Sequence, residues 1–75
     1  ADHKPSVEEV TVPSRPLPLE VGALGRSVEW LLVAIRDGAQ WRFNPPDDAM
    51  VSAGQALVVI ASAAGRRELE ARVAS

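Results

Sequence analysis

The sequence contains no cysteine, a single histidine and no long apolar run. Without cysteine the chain has neither disulfides nor thiolate metal sites, a composition compatible with a reducing cytoplasm. His3 stands alone in a polar segment, which excludes a site built from several histidines. The longest apolar run, residues 56–61, is far too short to span a bilayer, so we expect no direct membrane insertion.

The chain also lacks a large charge of either sign, since 8 basic and 10 acidic residues leave a net charge of −2. No basic patch stands out, and nucleic-acid binding therefore has no electrostatic support. The sequence also lacks a cysteine nucleophile, an internal histidine and a glycine-rich phosphate loop. We therefore predict that the chain is not an enzyme.

The chain has 75 residues, enough for one small domain, and 47% of them are apolar. A domain of this size buries only about 60% of its unfolded surface, and it is marginally stable unless a disulfide, a metal or a partner chain adds to its core. Because the first two are unsupported, we expect a homodimer. The chain starts without methionine, so we also expect it to be a piece of a longer protein.

The order of local patterns predicts an α+β fold. Residues 1–6 read as a disordered lead or linker, and residues 7–75 as one domain. Strands are predicted at residues 7–12, 29–36, 40–44 and 56–61, with a hairpin turn at Asp37-Gly38. Short helical turns are expected at residues 19–24, and a final helix at residues 63–73 with Ser62 as N-cap. We expect a small two-layer sandwich: a three- to four-stranded, mainly antiparallel sheet with two helices.

Several of these segments carry a family resemblance. Residues 33–36 read V-A-I-R, residues 44–46 read N-P-P, and Gly54 opens a turn before the apolar run L-V-V-I. In this order the chain resembles the C-terminal subdomain of the regulator-of-potassium-conductance module, also called the TrkA C-terminal domain (RCK_C). Gln55 and Ala61 stand where that family usually has Asp and Gly.

The resemblance implies a cytoplasmic regulatory domain at the inner face of the cell membrane. Such a domain forms a homodimer and joins a potassium channel, potassium transporter or cation–proton antiporter through a linked N-terminal domain. A small ligand, such as the cyclic dinucleotide c-di-AMP, binds at or near the dimer interface and gates cation transport; no covalent cofactor is implied. With this role, the residues assigned to ligand binding are Arg26, Leu31, Leu32, Val33, Pro45 and Pro46. Arg36 is assigned as well, because a guanidinium at a strand end can contact phosphate, although Arg26 and Arg36 are also explained as surface arginines at the ends of elements.

Two other interpretations stay open. Asp47 and Asp48 are adjacent carboxylates that suit a divalent cation, although capping of the turn after Pro45-Pro46 explains them more simply. Trp41 and Phe43 alternate along one strand and therefore share one face, where they are expected to form core or dimer interface. The chain would then be a purely structural dimerisation module without a ligand, or a divalent-cation sensor.

Overall fold

The computed structural model describes residues 4–74. The predicted lead at residues 1–6 lies partly outside these residues, as does His3, and a strand already begins at Ser6. In chain order the elements are β1 (Ser6–Thr11), β2 (Leu19–Glu20), a 3-10 helix (Val21–Leu24), β3 (Trp30–Asp37), β4 (Gln40–Phe43), β5 (Met50–Val51), β6 (Ala56–Ala61) and α1 (Ala63–Ala74).

The four longer strands form one sheet in the order β1-β6-β3-β4, and every neighbouring pair is antiparallel. The prediction of an antiparallel sheet of up to four strands is therefore confirmed. The two short strands, β2 and β5, pair with each other in a separate small sheet. β3 and β6 occupy the centre of the main sheet, which leaves β1 and β4 as its edges.

The hairpin between β3 and β4 turns where the sequence predicts it. Asp37 pairs with Gln40, so the loop contains only Gly38 and Ala39. Gly38 has a φ of 60°, a left-handed conformation that glycine adopts without steric cost. A glycine with positive φ at the first of two loop residues fits a type II′ turn, whose twist matches that of the flanking strands.

The core lies between one face of the main sheet and α1. Alternate strand residues point to this face, among them Val10, Ile35, Leu57 and Val59, and all are buried. From α1, Leu69 and Val73 complete the same cluster, joined by apolar side chains of the 3-10 helix and the small sheet. Apolar residues four apart along a helix share one side, which is why this pair faces the sheet.

Ser62 caps α1, as predicted. Its hydroxyl accepts a hydrogen bond of 3.0 Å from the N–H of Gly65 and donates one of 2.6 Å to the Glu29 carboxylate. The Ser62 N–H also donates to the backbone oxygen of Glu29 at 3.1 Å. These bonds satisfy a donor in the first helical turn and attach the start of α1 to the segment before β3.

The helical turns expected at residues 19–24 are present only at Val21–Leu24 and only as a 3-10 helix, so α1 is the one α-helix among residues 4–74. Leu19 pairs with Val51 in the small sheet, and only a 3-10 turn follows. The N–H of Gly22 donates to the backbone oxygen of Asp47 at 2.8 Å instead of continuing a helical ladder. A segment of four residues containing glycine is too short to nucleate an α-helix, and pairing with a distant strand decides its conformation.

The almost continuous apolar run at residues 29–36 favours a strand buried on both faces of its sheet, but this expectation is wrong at the start of β3, where Leu31 is 63% exposed. Within residues 4–74, no helix is both long enough and apolar enough to cross a membrane.

Candidate functional site

A cavity of about 310 Å³ opens at the end of the sheet where β3 begins and β4 ends. We call it the end cavity. Its walls come from the 3-10 helix, the loop before β3, the first residues of β3 and the connection after β4. The lining residues are Val21, Leu24, Gly25, Arg26, Ser27, Trp30, Leu31, Leu32, Asn44, Pro45 and Asp47.

A β-bulge shapes this end of the sheet. The register between β3 and β6 shifts between Leu32 and Ala34, which makes Val33 the extra residue. The Val33 oxygen accepts a hydrogen bond of 2.8 Å from the N–H of Asn44. Asn44 has a φ of 50°, a left-handed conformation that asparagine tolerates better than most residues. The bulge and this turn together hold Pro45 beside the start of β3.

The end cavity is lined by one basic and one acidic side chain that do not pair with each other. Arg26 and Asp47 both line it, and neither side chain makes a hydrogen bond or ion pair among residues 4–74. The Ser27 hydroxyl is already committed, since it donates to Glu68 at 3.0 Å. A guanidinium offers several donors in a planar fork and a carboxylate offers only acceptors, so the cavity can recognise an anionic group and a donor on one ligand.

Trp30 adds a buried donor to the cavity wall. The residue is only 8% exposed, and its indole N–H has no hydrogen-bond partner among the described residues. Its ring lies 5.8 Å from the guanidinium carbon of Arg72. An unsatisfied buried N–H is costly and therefore uncommon in native proteins. The sequence indicated a packing role for Trp30, and nothing local to it could show that it lines a cavity.

Four of the seven residues assigned to ligand binding line this cavity: Arg26, Leu31, Leu32 and Pro45. The structure places the other three elsewhere. Val33 sits in the bulge, Pro46 accepts a backbone hydrogen bond from Ala49 at 3.0 Å, and Arg36 pairs with Glu9. Asn44, Trp30 and Asp47 are lining residues that the sequence did not assign to ligand binding.

The face of the main sheet opposite α1 is not covered by any other helix or strand of residues 4–74, and it is apolar at its rim. Directly opposite residues of paired strands share a face, and the registers place Val7, Ile60 and Leu31 in one row. Trp41 and Phe43 stand on β4 at the same face, with their rings stacked 5.7 Å apart. We call these five exposed side chains the open face. The predicted pairing of the two aromatic residues on one strand face is present, and both are solvent-exposed in the single chain.

An ion pair crosses the middle of the open face. Arg36 on β3 donates to both carboxylate oxygens of Glu9 on β1, at 2.6 and 3.2 Å, and thereby spans the intervening strand β6. Beneath it lie the small or buried side chains of Ala34, Ala56 and Val58. The hydrogen bond from Arg36 holds the pKa of Glu9 below its ordinary value.

A second ion-pair group lies on the helix side of the sheet. Glu8 accepts hydrogen bonds from the Ser6 hydroxyl and from Arg66, which also pairs with Glu70 at 3.2 Å. The bonds from Ser6 and then Arg66 hold the pKa of Glu8 below its ordinary value. This group connects α1 to β1 and lies outside the end cavity.

A second cavity, of about 370 Å³, lies beside the β3–β4 turn, and several of its polar side chains already make hydrogen bonds. Gln55 donates to Asp37 at 3.0 Å, and Arg42 donates to the Met50 oxygen at 2.9 Å. In the part of the chain that the structure describes, no three acidic or histidine residues gather as metal ligands. Asp47 and Asp48 therefore remain a pair of carboxylates without a third partner there.

Comparison with protein-family profiles, with curated proteins and with solved structures gives no match to this chain.

Proposed function

We propose that this chain is a ligand-sensing and dimerisation domain that regulates a potassium channel, a potassium transporter or a cation–proton antiporter. The observation that carries the proposal is the end cavity, which brings together Arg26, Leu31, Leu32 and Pro45. Those residues come from three separate segments of the chain. The role in cation transport, and with it the cytoplasmic location beside a membrane protein, rests on the resemblance to the RCK_C family.

The chemistry of the cavity suits a nucleotide. Leu31, Leu32 and Pro45 offer apolar surfaces for a base, and the unpartnered Arg26 offers a donor fork for a phosphate. Asp47 can accept a hydrogen bond from an amino group on that base. We therefore infer a nucleotide ligand, with c-di-AMP as the first candidate.

The size of the cavity supports sharing a ligand between two copies. Ligand sites usually measure about 300–1,000 Å³, so a cavity of about 310 Å³ is at the small end. It accommodates one nucleotide half more readily than a whole cyclic dinucleotide. A dinucleotide with two equivalent halves matches a homodimer, in which each copy supplies one cavity.

The experiment is thermal unfolding of the domain with c-di-AMP, ATP, ADP, NADH, calcium or magnesium. A ligand that binds only the folded state stabilises it by about 2.7 kcal/mol at a hundredfold excess over Kd. For a domain of this size that corresponds to a rise in Tm of roughly 10 °C or more. We expect this rise with a nucleotide and a much smaller one in Arg26→Ala.

The matched control is Arg67→Ala, which removes an exposed arginine of α1 that does not line the cavity. It should keep the full response to the nucleotide. A rise with calcium or magnesium that disappears in Asp47→Asn/Asp48→Asn would favour the divalent-cation sensor instead. No response to any of these compounds would contradict ligand sensing by these candidates and favour the structural dimerisation module, for which the open face is the specific observation.

A further inference from the structure

We propose that the open face seats a second copy of this chain, with Glu9 of each copy placed against Arg36 of the other. This inference rests on the dimerisation part of the proposed function and is independent of the ligand.

The first argument is the amount of apolar surface. Val7, Leu31 and Phe43 are each more than 60% exposed, and Trp41 and Ile60 are each more than 40% exposed. This many large exposed side chains on one sheet face exceed the single scattered apolar residues of an ordinary surface, and they surround the Glu9–Arg36 pair. Apolar groups combined with a few polar ones are the composition of a typical protein–protein interface.

The second argument is the position of the charges. A two-fold interface uses the same surface on both copies, so that surface must complement itself. The open face has one acid and one base at its centre, Glu9 and Arg36, already paired across β6. A two-fold axis that lies in the interface, between the two groups and perpendicular to the line joining them, brings each carboxylate opposite a guanidinium of the other copy. A face of one sign would repel its own copy, whereas this face attracts it.

The third argument is the architecture of the layers. One face of the main sheet is covered by α1, but the opposite face has no covering element among residues 4–74. Ala34 and Val58 lie on this face in the same register row as Glu9, and both are buried. Two such faces packed together form a sheet-on-sheet core, a common way to bury an apolar sheet surface.

The test of the surface is the dimer dissociation constant, measured by analytical ultracentrifugation over a range of chain concentrations. Val7→Lys and Phe43→Lys place charge on the open face, and we expect each to weaken the dimer by at least about tenfold. Val28→Lys and Leu17→Lys are matched controls, because these side chains are also highly exposed but lie outside the strands of the sheet. They should leave the dissociation constant unchanged.

The test of the charge exchange uses two variants that should not pair with themselves. Arg36→Glu leaves two acids at the centre of the face, and Glu9→Arg leaves two bases. We expect each alone to be mostly monomeric and an equal mixture of the two to form a heterodimer. If Glu9 and Arg36 pair only within their own chain, mixing the two variants cannot restore the dimer, because neither variant keeps an internal pair. Circular dichroism of each variant confirms that the fold is retained.

The outcomes separate this inference from the proposed function. If the wild-type chain forms a dimer that Val7→Lys and Phe43→Lys leave intact, the open face is not the interface. A dimer that instead joins two sheets edge to edge through β1 or β4 would also contradict the inference. Single charge variants that dimerise normally, or a mixture that stays monomeric, overturn the Glu9–Arg36 exchange. A wild-type chain that is monomeric at every concentration overturns both the inference and dimerisation. A dimer without any thermal response to ligands upholds the inference while the sensing role fails.

Discussion

Gly65 offers the sharpest test of how α1 is attached to the sheet. A Cβ atom added at this position would lie 2.1 Å from the backbone oxygen of Glu29 and 2.7 Å from its carbonyl carbon. The same oxygen accepts the Ser62 N–H, and the Gly65 N–H donates to the Ser62 hydroxyl. Because both sides of the contact are backbone held by hydrogen bonds, neither can move without breaking one. We predict that Gly65→Ala destabilises the fold.

The expected magnitude comes from opposing terms. In an ordinary helix interior, replacing glycine by alanine stabilises by about 1 kcal/mol. Here the clash requires the start of α1 to move away from Glu29, and overpacking of this kind costs about 1–3 kcal/mol. Loss of the Ser62 cap adds about 1 kcal/mol. The net expectation is a loss of about 1–3 kcal/mol, or a fall in Tm of about 4–8 °C for each kcal/mol.

The assay is urea unfolding followed by far-ultraviolet circular dichroism, with Ala64→Gly as the control. Ala64 is exposed on the same turn of α1, so its replacement should cost about 1 kcal/mol through helix propensity alone. The two substitutions run in opposite chemical directions, yet both should destabilise. If Gly65→Ala instead raises the urea midpoint, the close approach of α1 to Glu29 is refuted.

Two further predictions concern the cap of α1 and the ion pairs of β1. Ser62→Ala removes both the cap to Gly65 and the bond to the Glu29 carboxylate, so it should lower the free energy of unfolding by about 1–2 kcal/mol, whereas Ser62→Thr should retain most of it in the same urea assay. Acid should also destabilise the fold, because the pKa values of Glu8 and Glu9 in the folded chain lie below the value of 4.5 that each has without these contacts. Their contribution is complete above that value and is lost as the pH falls through the folded pKa values, so unfolding midpoints below about pH 4.5 should fall less steeply in Glu8→Gln/Glu9→Gln than in the wild type. An equally steep fall in that variant would assign the acid sensitivity to other carboxylates.

The parts of the fold that local patterns predict are those decided by neighbouring residues. The hairpin turn at Gly38 depends on one glycine with positive φ, and the start of α1 depends on the Ser62 cap. Both are local requirements that the sequence displays. The strand at residues 56–61 has the bounds that the sequence predicts, since a short apolar run rich in β-branched residues between a glycine turn and a helix cap favours a buried strand.

The parts that escaped prediction depend on distant partners. Residues 19–24 were expected to be helical, but Leu19 pairs with Val51, which lies more than thirty residues later in the chain. The exposed side of Leu31 escaped for a similar reason, because a continuous apolar run does not show how many layers cover it. The bulge at Val33 likewise changes which side chains reach the end cavity, and no residue type in the sequence predicts a bulge at that position.

The candidate site divides along the same line. The resemblance assigned Arg26, Leu32 and Pro45 to ligand binding, and the fold brings them to one cavity. Arg36, a candidate for phosphate contact because of its guanidinium, instead pairs with Glu9 across β6. The sequence does not predict this ion pair, because it depends on the strand order, in which β6 lies between β1 and β3. The strand order thus places Arg36 on the proposed dimer surface and not in the proposed ligand site.

Leu31 is the residue through which the two proposed activities can be coupled. It lines the end cavity and also stands in the exposed row with Val7 and Ile60 on the open face. A ligand in the cavity and a second copy on the face would therefore both contact this side chain. Because coupling between two binding events is reciprocal, a ligand that tightens the dimer must bind the dimer more tightly by the same factor. Sensing would then need no large rearrangement of the chain. It would need only a conformation of Leu31 that suits both the ligand in the cavity and the second copy on the open face.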